Sequence, residues 1–292
     1  MYIIIEIQSF CLYIIFKRQK KIKEIQSSLL YFILNSIFSF FFIFYLINLN
    51  NNNICYYINF IMLYKIGIFP FFIWVSDVYN GLSFNNIAIL SILPKFIFFL
   101  ILYKINYIDF SSLALISILI ACILGLNQIN IKRILAYSSI INLSIILILM
   151  LKNGMISFYY LIIYSFFLIP ILNLLDKNFI ISYAKGYLNF NFFIIIFSII
   201  TISGIPPLAG FFLKLSLFFS IIVNSNWIFL ILLISGISTA LFIYLRLINI
   251  FLFKKTLIYK SLIDNIYYNT GWIVYSSGFF ILLIPFILKN IF

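Results

Sequence analysis

Apolar runs of about 20 residues follow one another along nearly the whole chain, and each is long enough to cross a hydrocarbon core of roughly 30 Å as a helix. The runs lack the polar–apolar alternation that barrel strands require. With 65% hydrophobic and only 9% charged residues, against roughly 45–50% and 25% in a soluble domain, the chain reads as an all-α polytopic membrane protein. Ten spans are expected, at 2–16, 27–49, 54–76, 86–103, 109–126, 134–151, 155–174, 191–223, 227–253 and 271–288. The connections are short, and the asparagine-rich patch from Asn48 to Asn53 reads as a solvated turn between two of them.

The basic residues report topology. Connections after the odd-numbered spans carry Lys17, Arg18, Lys20, Lys21, Lys23, Lys132, Arg133, Lys177, Lys185, Lys254, Lys255 and Lys260, whereas the opposite side has Lys104, Lys152 and Lys289. By the positive-inside rule the first group faces the cytoplasm or matrix and Met1 faces away. A net charge of +13 therefore implies no nucleic-acid partner, since the lysines sit in short loops and form no soluble basic face. Cys11, Cys55 and Cys122 lie in or beside apolar runs without CxxC spacing, and the chain has no histidine. They read as small hydrophobes, with no metal site expected. The richness in Phe, Tyr, Ile, Asn and Lys points to a compositionally biased, organellar type of genome.

Four cations remain inside spans, Lys65, Lys95, Lys214 and Arg246, together with Glu6 in the first. Each costs on the order of 2.5–3.5 kcal/mol at a helix centre, so several together need a reason. Lys65 and Lys95 lie near the midpoints of their spans, so a functional role is the favoured reading and snorkelling to the interface the bland alternative. Arg246 is only seven residues from Phe253, roughly 10 Å along a helix, so snorkelling is the favoured reading and a functional role the alternative. Glu6 sits about 15 Å from the Phe16 end of its span, and an ionised Glu6 offsets the cost of a protonated lysine nearby. Its plainer alternative is an N-terminal surface carboxylate.

Two of these lysines accompany helix breakers. Lys214 follows SGIPPLAGFF, where Pro206 and Pro207 remove two backbone donors between Gly204 and Gly210. Pro70 follows Lys65 in a span that crosses the opposite way. Broken helices persist in membranes only where their freed backbone groups are buried in protein or line a wet cavity, and an antiparallel pair of them is what an inverted repeat supplies. A simple proline kink is the bland alternative.

Four stretches resemble one family, subunit 2 of respiratory NADH:ubiquinone oxidoreductase, complex I, whose bacterial form is subunit N. EIQSFCLYII (Glu6–Ile15) resembles the family's fifth helix; YKIGIFPFFIWVSDVYNG (Tyr64–Gly81) with LSILPKF (Leu90–Phe96) resembles its seventh and eighth. LNQINIKRILAYSSIINLS (Leu126–Ser144) is similar to its ninth-to-tenth connection, and SGIPPLAGFFLK (Ser203–Lys214) to its broken twelfth. The resemblance implies an antiporter-like fold with inverted repeats, broken near Pro70 and Pro206/Pro207. Residues 1–105 would be the remainder of a first repeat, 109–253 a second repeat and 271–288 a terminal helix. It implies a proton pathway through Glu6, Lys65, Lys95 and Lys214. Phe72 and Ser76 stand where the family often has histidine and proline, so no proton role is expected at Phe72.

The resemblance further implies a proton-translocating subunit of an inner mitochondrial membrane enzyme. NADH, FMN, iron–sulfur clusters and ubiquinone would be bound by other subunits, none by this chain. The expected partners are complex I membrane subunits of the 4L and 4 types and lipids such as cardiolipin, although topology alone explains the basic loops. The family's first four helices have no counterpart here, which favours a separate polypeptide supplying them. The alternatives are a structural subunit with a relic proton path and a free-standing cation/proton antiporter.

Overall fold

The computed structural model describes residues 2–17, 21–47, 54–104, 110–178, 190–222 and 227–257. The expected terminal helix at 271–288 and the loop residues Arg18, Lys20, Lys185, Lys260 and Lys289 lie outside them. The described residues form α1 (Tyr2–Lys17), α2 (Ile22–Ile47), α3 (Ile54–Ile66), α4 (Ile73–Gly81), α5 (Phe84–Lys104), α6 (Ser111–Leu126), α7 (Ile131–Lys152), α8 (Gly154–Asn178), α9 (Phe190–Ser203), α10 (Ala209–Ile222) and α11 (Trp227–Leu257), with no strand among them. Among the described residues five helices are long and apolar enough to cross a membrane: Ile22–Phe44, Phe84–Tyr103, Ile131–Lys152, Gly154–Leu175 and Trp227–Asn249.

The first compact unit, Met1–Gly154, is organised around α7. Every residue from Ile134 to Met150 is buried, which is the signature of a helix enclosed on all sides. Helices α4, α5 and α6 pack on α7, while α2 lies against α1, α3 and α4. The approach of α4 to α2 is close: a Cβ added at Gly81 would stand 2.6 Å from Ser27 Cβ and 2.9 Å from the Lys23 carbonyl oxygen. Aromatic contacts of Phe16 with Tyr31 and of Tyr13 with Phe32 join α1 to α2.

In the second unit, from Met155 onward, α9, α10 and α11 pack on one another. A Cβ at Gly210 would sit 1.9 Å from the Thr201 carbonyl oxygen, so α10 meets α9 nearly backbone to backbone. The outward faces are strongly apolar: Ile3, Ile4, Ile7, Phe10 and Ile14 on α1, and Ile228 and Ile231 on α11, are exposed. Such surfaces suit lipid, which also demands that backbone polar groups be satisfied internally. Buried serines conform, bonding back to carbonyls one turn earlier, as Ser27 does to Glu24, Ser138 to Leu135 and Ser198 to Ile195.

Candidate functional site

The last four carbonyls of any helix lack intrahelical donors, and two helices here end inside the protein, where each carbonyl needs another partner. Helix α3 stops at Ile66 because Gly67 adopts φ +85°, a left-handed conformation that glycine takes without steric penalty. Gly67 N then donates to Tyr64 O and Ile68 N to Leu63 O, the two bonds of a Schellman cap. Trp74 Nε1, from α4, adds a second donor to Tyr64 O at 3.2 Å. Two carbonyls remain, those of Lys65 and Ile66, and Lys95 Nζ from α5 donates to both, at 3.1 Å to the first.

The end of α9 is built by the same rules. Gly204 has φ +81°, and its N–H bonds to Ile200 O and Thr201 O at 3.3 and 3.2 Å. The remaining carbonyls, Ile202 and Ser203, accept from Lys214 Nζ at 3.2 and 2.6 Å. In both units the chain continues Gly-Ile-X-Pro, as Gly67-Ile68-Phe69-Pro70 and Gly204-Ile205-Pro206-Pro207, with a cis peptide before the last proline. A turn follows in each, closed by Phe71 N to Ile68 O and by Leu208 N to Ile205 O. The sequence expectation paired a lysine with a proline in each segment; the shared Gly-Ile-X-Pro went unnoticed, though it is legible in the chain.

Both capping ammonium groups are buried, Lys95 at 3% exposure and Lys214 at 4%. A cation at a helix C-terminus meets the negative end of the helix dipole, which offsets part of the desolvation cost. Each also faces an aromatic ring, Lys95 Nζ lying 5.5 Å from the Trp74 centroid and Lys214 Nζ 6.0 Å from Tyr244.

Lys65 differs. It is 2% exposed, and its Nζ has no hydrogen-bond partner among the described residues. It lies 5.9 Å from the centroid of Phe98 and within electrostatic reach of Glu6, which is half-buried on α1. Glu6, Lys65 and Lys95 thus belong to one neighbourhood of the first unit, with Lys95 bonded to the backbone of Lys65 itself. Lys214 occupies the corresponding cap of the second unit. Arg246, on α11, is half-buried. Phe72, the position where the resembled family often has histidine, is buried just before α4. Sequence reasoning did not reach Trp74 as a carbonyl cap, because a long-range donor has no local pattern.

Residues 1–242 match the family described as "NADH:quinone oxidoreductase/Mrp antiporter, TM". The chain belongs to this family. Among its relatives, NADH-ubiquinone oxidoreductase chain 2 of Paracentrotus lividus is 33% identical over 200 residues, covering 63% of this chain and 55% of the relative. NADH-quinone oxidoreductase subunit N of Campylobacter concisus is 27% identical over 319 residues, covering 90% of this chain and 64% of the relative. The chain spans about half the length of the relatives it matches. The fold matches a chain of respiratory complex I from Thermus thermophilus with TM-score 0.80 and 20% identity, over 97% of this chain and 72% of that one. A chain of the Mrp complex from Dietzia sp. DQ12-45-1b matches with TM-score 0.64 and 15% identity, over 83% and 52%. The family thus unites quinone reductases and antiporters on one membrane fold, and the sequence-based family assignment agrees with it.

Proposed function

We propose that this chain is the proton-translocating, antiporter-like membrane subunit of a respiratory NADH:quinone oxidoreductase. On this reading NADH oxidation and quinone reduction occur in other subunits of the assembly, which bind FMN and the iron–sulfur clusters, and this chain's part is proton transfer. The observation that carries the reading is Lys65, a buried amine whose Nζ has no hydrogen-bond partner among the described residues, within electrostatic reach of Glu6 and with its backbone carbonyl bonded by Lys95. A protein that needed Lys65 only for packing would do better with an apolar residue, since a buried charge is costly unless paired. A group that must take up and release protons has to keep that cost low enough to be switched.

The carboxylate of Glu6 holds the proton on Lys65. When the pair separates, Lys65 gives it up toward Lys95, and the route continues to Lys214. The two Gly-Ile-X-Pro interruptions are each the break of one discontinuous span, with α3–α4 and α9–α10 related as an inverted repeat. Each break brings helix-end carbonyls to a lysine, so a lysine's protonation state bears on the geometry of a helix end. The other membrane subunits of the complex, of the 4 and 4L types, are the partners. The inner mitochondrial membrane, with the lysine-rich loops on the matrix side, fits the composition and the charge distribution.

The test is proton pumping by the intact assembly in liposomes during NADH oxidation. Lys65→Ala and Glu6→Gln should each lower pumping by about 100-fold or more, the usual range for an essential acid–base group. Lys65→Arg should restore little, because a guanidinium does not release its proton. Wild-type pumping by an assembled Lys65→Ala or Glu6→Gln complex would refute the assignment. The likeness to a chain of an Mrp complex favours a second reading, a cation/proton antiporter. It predicts ion exchange by preparations that contain no redox subunits.

A further inference from the structure

The first unit contains a buried hydroxyl that neither the lysine series nor the helix caps employ. Tyr79, on α4, is 2% exposed. Its Oη faces the side chains of Ser91 on α5 and Ser139 on α7, yet closes a regular hydrogen bond with neither. Both serines spend their own protons on their own helices, Ser91 Oγ donating to Ala88 O at 2.9 Å and Ser139 Oγ to Ala136 O at 2.7 Å. Their oxygens are therefore acceptors, and the Tyr79 O–H is a donor set between two of them.

Polar groups continue on both sides. Ser91 precedes Lys95 by one turn on the same face of α5. Between them Pro94 has no N–H to give the Leu90 carbonyl, which leaves a further acceptor in that turn. On α7, Ser139 is followed one turn later by buried Asn142, and beyond it Ser144 Oγ meets Ser117 Oγ of α6 at 2.5 Å. A polar line thus passes from α5 across α4 to the Ser139–Asn142 face of α7, while the Ser117–Ser144 contact lies on another face of α7.

Resting on the proton-translocation reading, we propose that Tyr79 is a relay residue whose hydroxyl connects Lys95 with the polar face of α7, lateral to the line from Glu6 through Lys65. One serine first swings its O–H from its own helix carbonyl to the Tyr79 oxygen, so that the phenol takes a proton from that side as it passes its own to the other serine oxygen. The receiving serine releases its own proton onward, the giving serine is reprotonated from behind, and Tyr79 ends neutral with its O–H turned around. Rotation about the C–O bond resets it, and a water spans any gap too long for a direct bond.

The test uses the intact assembly in liposomes and compares Tyr79→Phe, Ser139→Ala, the double variant and Lys95→Ala. Tyr79→Phe should lower proton translocation about tenfold, less than loss of a direct acid–base group because water partly substitutes for a missing hydroxyl. Ser139→Ala should do likewise, and the double variant should be no worse than the poorer single one, since both remove the same step. Wild-type translocation with Tyr79→Phe, where Lys95→Ala abolishes it, would overturn the relay and leave the proposed function standing. Additive losses would also overturn it, as packing defects add. If Lys95→Ala itself pumps normally, the proton reading fails and the relay with it. Should Tyr79→Phe not assemble, wild-type translocation by Ser139→Ala alone is enough to overturn the relay.

Discussion

Replacing Gly204 with alanine puts two separable stresses on one point. Its φ of +81° costs an L-residue roughly 1–2 kcal/mol. The new Cβ would also stand 2.7 Å from Lys214 Cδ, 3.1 Å from Cε and 3.0 Å from Nζ, so the lysine must leave its place. Moving it surrenders the bonds to Ile202 O and Ser203 O, and a hydrogen bond to a charged donor is worth about 1.5–3 kcal/mol. Counting only one of the two bonds, because a displaced lysine can keep the other, the loss plus the backbone strain gives about 2.5–5 kcal/mol of destabilisation. The two stresses part in a double-mutant cycle. In a Lys214→Ala background there is no side chain to displace, so Gly204→Ala should cost only the strain, about 1–2 kcal/mol. Denaturant-induced unfolding of the purified protein in mild detergent supplies the four values. A coupling of at least about 1.5 kcal/mol supports the cap; strict additivity would show that Lys214 does not hold the end of α9.

Other consequences follow from the same geometry. Lys95→Met should leave the carbonyls of Lys65 and Ile66 without their donor, at about 1–3 kcal/mol for each group left unpaired; amide exchange at Gly67 and Ile68 should accelerate, and unchanged protection there would contradict the capping role. Gly210→Ala demands space already occupied by the Thr201 carbonyl oxygen at 1.9 Å, so α9 and α10 must separate, and the variant should fail to accumulate in membranes on a quantitative blot. Trp74→Phe keeps an aromatic ring near Lys95 while deleting the donor to Tyr64 O, and should cost about 1 kcal/mol in the same unfolding assay.

How much of this was legible beforehand differed by type of residue. Apolar runs announce helices because a membrane forces every backbone group into local bonds, and Lys65, Lys95 and Lys214 stood out because charge in such runs is expensive. Their partners did not stand out. A lysine side chain reaches several ångströms in many directions, so the sequence leaves open whether Lys95 serves a water path or the carbonyls of α3. Gly67 does not stand out in the sequence, since the break there is credited to Pro70 three residues later. Tyr79, Ser91 and Ser139 were invisible for a different reason: they come from three helices, and their adjacency exists only once α4, α5 and α7 are packed.

The two lysine caps are alike at their ends but unlike in the length of chain they close. Lys214 reaches back 11 and 12 residues, whereas Lys95 reaches back 29 and 30. Closing the longer loop costs about 0.8 kcal/mol more in chain entropy. The difference matters more for timing. The α9 cap can form within one interrupted span as soon as Lys214 has entered the membrane, while the end of α3 must wait, its last two carbonyls unserved, until α4 is complete and α5 has docked. Assembly of the first unit therefore passes through a stage in which α3 has an open end, and that is where a chaperone or a neighbouring subunit would have most to offer.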